Sequence, residues 1–90
     1  MAKIITVLPG GLKVCEHVLT LENTGTAAAD VSGSFDAEHV NKVYSCWARS
    51  EDTNNAGVVL TITAPKTVNV TAKSVPAGES TKIVVIYVGY

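Results

Sequence analysis

The sequence predicts an all-β domain, a small antiparallel β-sandwich of about seven strands that takes up residues 1–90 as one unit. Three observations carry this. Fourteen valines and ten threonines dominate a chain that is 47% hydrophobic, and their β-branched side chains, stiff at χ1, suit a pleated surface better than a helix. Short apolar or alternating runs recur about every ten residues between clusters of Pro, Gly, Asn and Asp, the rhythm of a sandwich. Ninety residues support one core and leave no room for a second.

The elements follow in order. Residues 3–8 form a short apolar run stopped by Pro9-Gly10-Gly11. LKVCEHVLTL, residues 12–21, sets Leu12, Val14, Glu16, Val18 and Thr20 against Lys13, Cys15, His17, Leu19 and Leu21. That alternation is imperfect, and a bulge near Cys15-Glu16-His17 would bring Leu19 and Leu21 onto the side of Leu12 and Val14. Asn23-Thr24-Gly25 supplies a turn into TAAADVSGSF, a strand of small side chains. Residues 36–50, DAEHVNKVYSCWARS, fit a helix by spacing, with Asp36 as N-cap and Val40, Val43, Tyr44 and Trp47 on one face. Their β-branched and aromatic content and the strands on both sides favour a turn at 36–41 and a strand at 42–49 within an all-β meander. SEDTNN reads as a hairpin tip. GVVLTITAP and TVNVTA are two further strands, the first stopped by Pro65. Pro76-Ala77-Gly78-Glu79 then turns the chain into KIVVIYVGY, a nearly continuous apolar strand.

Charged residues make up only 17% of the chain, against about 25% in an average domain. A net charge of −1 and an isoelectric point near 6.0 provide no field that would attract a polyanion, so nucleic acid is not an expected partner. The apolar run Ile4 to Leu8 is too short for a secretory or membrane-spanning segment. A chain that begins at Met1 without such a segment is not expected to be exported by a Sec signal or to have a membrane partner, and the sequon Asn69-Val70-Thr71 then has no consequence.

Two of the turns carry a resemblance. HVLTLENTGTAAADVSGSF, a strand running into Asn23-Thr24-Gly25 and out again, is similar to the strand-N-x-G-strand hairpin of CARDB-like modules. Val75-Pro76-Ala77-Gly78-Glu79 resembles the corner before the last strand of immunoglobulin-like sandwich domains common in bacterial and phage surface proteins. Together they cover about two-thirds of the chain and imply an Ig-like fold. Trp47 directly follows Cys46, which departs from the Cys…Trp…Cys order of antibody domains, so the inter-sheet disulfide is not carried over to Cys15 and Cys46. In size and architecture the chain also looks like small accessory proteins of tailed-phage virions, which assemble in the host cytoplasm and decorate or cement a capsid or tail.

Candidate chemistry is thin. Cys15, His17, His39 and Cys46 are possible metal ligands, but zinc sites bring ligands in closely spaced pairs, and His39 and Cys46 are seven apart. No metal and no cofactor is expected, and both cysteines are expected as free thiols. A cysteine nucleophile would need an electropositive cleft that so short a chain has little material to build. Tyr44, Trp47, Tyr87 and Tyr90 could stack on a sugar, although Trp47 reads more readily as the core anchor between sheets. With few charges to guard its sheet edges, the domain is expected to pack against other copies of itself or a major capsid or tail protein, with Tyr87, Tyr90 and Trp47 at or near the contact and the terminal strand beside it. The expected function is a non-enzymatic structural protein of a virion, a decoration or capsid-stabilising component, and the alternative is an Ig-like carbohydrate- or protein-binding surface module. The expected location is the virion, assembled in the host cytoplasm.

Overall fold

A computed structural model describes residues 2–90, so the expectation attached to Met1 lies outside the described residues. Seven strands run in order: β1 (Ala2–Val7), β2 (Lys13–Glu22), β3 (Ala29–Asp36), β4 (Val43–Ser50), β5 (Gly57–Ala64), β6 (Thr67–Val75) and β7 (Ser80–Gly89). They form two antiparallel sheets, one ordered β1-β2-β7-β4 and the other β3-β6-β5. The sheets stack with β2 over β3, β7 over β6 and β4 over β5, and β1 overhangs at the side. The all-β sandwich of seven strands is therefore as the composition and punctuation predict, and residues 37–42 form the turn that leads into β4.

The connectivity is not a meander. Only β1–β2 and β5–β6 are hairpins, and the other four connections cross between the sheets. Pro9-Gly10-Gly11 makes the first hairpin possible, because Gly10 and Gly11 adopt φ of 89° and 87°, a region glycine enters without a Cβ clash. Asn23-Thr24-Gly25 and SEDTNN, read as hairpin tips, are both crossovers. The Asn23 side chain explains the first: its Nδ2 donates to Ala27 O at 2.9 Å and Val75 O at 2.8 Å, and its Oδ1 accepts from Gly25 N at 2.9 Å. Its backbone carbonyl also accepts from Gly78 N at 2.9 Å. The β2–β3 crossover is thereby tied to the Pro76–Gly78 turn, so the two turns that carry the resemblance lie together at one end. The SEDTNN loop is fastened by Asp52, whose carboxylate accepts from Thr81 Oγ1 at 2.7 Å and Lys82 N at 3.0 Å.

The two-layer antiparallel sandwich is compatible with an Ig-like fold, while the strand order is its own. In an immunoglobulin constant domain the fifth strand lies inside the four-stranded sheet and the seventh at the rim of the other. Here β7 takes the inside place and β5 the rim. The sequence of β7 accounts for this, since so apolar a run is most stable where both edges are paired and one face packs into the core. It pairs with β2 on one side and β4 on the other, so it is not free to extend a neighbouring sheet.

The core lies between the sheets. Cys15 and Leu21 of β2, Val68, Val70 and Ala72 of β6, and Ile83, Val85 and Tyr87 of β7 fill it, closed at one end by Ala37, Val40 and Val43. The expected bulge in β2 is absent, because β2 pairs residue for residue with β7 from Lys13 to Glu22. Its odd-numbered residues face inward, and its alternation reads poorly because Val14 and Val18 make the outer side apolar as well. Register shifts occur on the rim strands instead: on β1 between Ile4 and Thr6, β3 between Ala29 and Val31, β4 between Val43 and Ser45, and β5 between Ile62 and Ala64. Bulges at rims bend a strand away from chance pairing.

Candidate interaction surface

The shift in β4 decides where its aromatic residues go. Val43 is buried, the chain slips by one residue before Ser45, and Cys46 and Ala48 then pack toward the core while Ser45, Trp47 and Arg49 point outward. Trp47 is therefore not the core anchor; it stands 53% exposed on the outer face of the four-stranded sheet. The anchor is Tyr87, which is fully buried. Its hydroxyl donates to Glu38 O at 2.9 Å and its ring centroid lies 6.0 Å from that of Phe35. Burial, chiefly, pushes that hydroxyl up to a pKa of about 12. Tyr87 thus cannot serve in a surface contact, whereas Tyr90 is 48% exposed and stacks on Tyr44 with centroids 5.2 Å apart. Lys42 Nζ lies 5.6 Å from the Tyr44 ring centroid.

Register assembles the rest of the face. Trp47 and Glu16 flank Ile86, Arg49 and Val18 flank Val84, and Ser45 and Val14 flank Val88. Val14, Val18, Ile86 and Val88 lie half-buried around Val84, which its neighbours cover, with exposed Trp47 at their side, and charged groups surround them, Lys3 paired with Glu16 at 3.9 Å and Arg49 with Glu51 at 3.0 Å. The outer face of the three-stranded sheet is built differently. Ser32 pairs with Thr71, Ser34 with Asn69 and Asp36 with Thr67, and Ser32–Thr71 and Thr67–Asp36 are hydrogen-bonded at 2.8 Å. One face carries the side chains that water solvates well, and the other carries valines, an isoleucine and a tryptophan. The signal for the apolar face was in the sequence as the apolar outer positions of β2 and β7, but hydropathy alone does not assign them to the outside.

The other candidate residues do not converge. Cys15 and Cys46 both lie opposite Tyr87, one on each neighbouring strand, which separates them by two strand spacings, about 10 Å. A disulfide needs Cα atoms closer than about 7 Å. Both cysteines are free thiols, and burial raises their pKa values. His39 lies in the turn before β4 with φ of 70°. Among the described residues no group of three His, Cys, Asp or Glu side chains is placed to hold a metal.

His17 faces the core and stacks flat on Phe35, centroids 4.0 Å apart and planes 7° from parallel. Its Nδ1 is buried without a hydrogen-bond partner among the described residues. Burial is the main reason its pKa is lowered from 6.5. The unfolded chain therefore takes up a proton before the folded one does, and stability must fall as pH drops below about 6.5 toward the folded pKa. Asp30 and Asp52, whose pKa values are lowered mainly by backbone hydrogen bonds from Ser74 and Lys82, act in the same direction only below about 3.8. The urea midpoint is expected to fall between pH 7.5 and pH 5 in the parent and to stay flat there in His17→Gln. An equal fall in both would place the titrating group elsewhere.

Searches against protein-family models, curated proteins and solved structures match this chain to none of them.

Proposed function

We propose that the chain is a non-enzymatic structural domain that works through protein contacts, a decoration or capsid-stabilising component of a virion that docks on a larger shell by the outer face of its four-stranded sheet. The observation that carries this is the contrast between the two outer faces. The outer face of the three-stranded sheet is built mainly of Ser, Thr and Asn, with Val59 at its rim, and the face with Val14, Val18, Ile86, Val88 and Trp47 departs from that. Apolar centres rimmed by charge are the usual anatomy of a docking patch, and tryptophan is among the residues that contribute most to binding. The seven-stranded sandwich is compatible with the Ig-like, CARDB-like relation that the turns suggest, and such domains commonly serve as interaction modules.

The test is direct. Phage particles purified from the source of this sequence are expected to contain the chain in stoichiometric amount by mass spectrometry, and added protein is expected to co-sediment with particles that lack it. Trp47→Ala is expected to change folding stability by less than about 0.5 kcal/mol and to weaken particle binding by about 2 kcal/mol, roughly thirtyfold. Particles without the chain, or binding indifferent to Trp47, would overturn the proposal.

A second reading has one specific observation behind it. Exposed Trp47 and the stacked Tyr44–Tyr90 pair offer aromatic faces of the kind on which pyranose rings stack. Binding on a glycan array that is lost in Trp47→Ala would favour a carbohydrate-binding surface module.

A further inference from the structure

Four strands form the rims of the two sheets, β1 and β4 on one and β3 and β5 on the other. An open strand edge presents unpaired N–H and C=O groups to any extended chain, and charged side chains are the common guard against this. Lys3 stands on β1, Asp30 and Asp36 on β3 and Arg49 on β4. The sequence of β5, GVVLTITA, is the one strand of the seven without a charged residue, and it contains no proline. The shift between Ile62 and Ala64 leaves Gly57 to Ile62 regular. Val59 on its outer side is 48% exposed, and Ile62, on the side of the core-packed Val58 and Leu60, is 40% exposed.

We propose that β5 pairs antiparallel with β5 of a second copy about a two-fold axis, joining two three-stranded sheets into one of six strands. The inference rests on the reading that this domain acts through protein contacts, and it assigns a second surface to that role. A two-fold register must set residues of the same face opposite each other. Centred on Leu60, it places Leu60 opposite the partner's Leu60, Val58 opposite the partner's Ile62, and Val59 opposite the partner's Thr61. The inward pairs are then apolar and the central outward pairs, Val59 with Thr61, β-branched, the combinations that stabilise cross-strand neighbours. No charged side chain of β5 opposes the approach of a second copy along this edge. A second copy supplies all of this complementarity by symmetry.

Sedimentation equilibrium from micromolar to millimolar protein tests the pairing. The expected result is a reversible monomer–dimer equilibrium. Val59→Lys, a change at an already exposed side chain that should leave the far-ultraviolet circular dichroism unaltered, is expected to raise the dimer dissociation constant at least about tenfold, because the two added charges meet near the axis, whereas Val59→Thr retains the dimer. Under mild oxidation Leu60→Cys is expected to crosslink through its own symmetric position. Thr61→Cys is not, because two such residues sit diagonally, beyond the reach of a disulfide. A chain that stays monomeric throughout, or a dimer insensitive to Val59→Lys, overturns the pairing, as does crosslinking at 61 in place of 60. A monomer that still binds particles through Trp47 overturns only the β5 pairing, and a β5 dimer that binds no particle overturns only the proposed docking.

Discussion

Tyr87→Ala is expected to leave the chain largely unfolded at room temperature. Tyr87 is the largest of the fully buried side chains, set in an inner strand of its sheet with Cys15 and Cys46 on either side. Truncating a buried aromatic ring to alanine costs about 3–5 kcal/mol in lost transfer energy and cavity formation. The change also strips the Glu38 carbonyl of the hydroxyl that donates to it. A domain this small has total stability at or near the low end of the usual range of about 5–15 kcal/mol, so one substitution consumes most of it. Tyr87→Phe keeps the ring and removes only the hydrogen bond, which should cost about 1 kcal/mol. Urea unfolding of the two variants beside the parent measures both effects. A Tyr87→Ala chain within about 1 kcal/mol of the parent would mean that Tyr87 is not the anchor of this core.

The same residue illustrates what could be read in the sequence. Strand positions were legible because each apolar run ends at a breaker whose effect is local: Pro9-Gly10-Gly11, Asn23-Thr24-Gly25, Pro65 and Pro76-Ala77-Gly78 all fall between strands. The side that each strand turns inward was not. In β7 every residue from Ile83 to Val88 is apolar, so hydropathy has no contrast with which to place Tyr87 inside and Ile86, Val88 and the following Tyr90 on the other parity. In β4 a single slip after Val43 reverses the parity, carrying Trp47 from the expected core to the surface. Turn chemistry is silent on a third point, because an Asn-x-Gly turn serves a hairpin and a crossover equally well. What makes Asn23 part of a crossover is its bond to Val75 O, fifty-two residues away. Of the three expected contact residues, Trp47 and Tyr90 lie at the surface and Tyr87 in the core, and only strand pairing places the valines and isoleucine around Trp47.

Gly89→Ala is the other substitution expected to do large damage, for a reason of space and not of backbone conformation. A Cβ at position 89 would stand 2.1 Å from the carbonyl oxygen of Lys42 and 3.1 Å from Val40 Cβ. The nearest obstacle is backbone, which no rotamer change can move, and it belongs to the turn before β4 whose Lys42 O accepts from Tyr90 N at 3.2 Å. Gly89 is also paired on both sides, with Lys13 of β2 and Val43 of β4, so the end of β7 cannot swing aside without breaking one ladder. The strand end must part from the turn, at a cost of about 3 kcal/mol for overpacking. Gly33→Ala is the control: there the nearest atom, 2.8 Å away, is Leu21 Cδ2, the end of a flexible side chain, and the loss should stay below about 1.5 kcal/mol. Parting β7 from the turn also removes Tyr90 from Tyr44, so near-ultraviolet circular dichroism should lose the signal of the stacked tyrosines in Gly89→Ala and keep it in Gly33→Ala. Urea midpoints that rank the two glycines in the reverse order would show that the close approach of β7 to Lys42 is not what holds this end of the sandwich together.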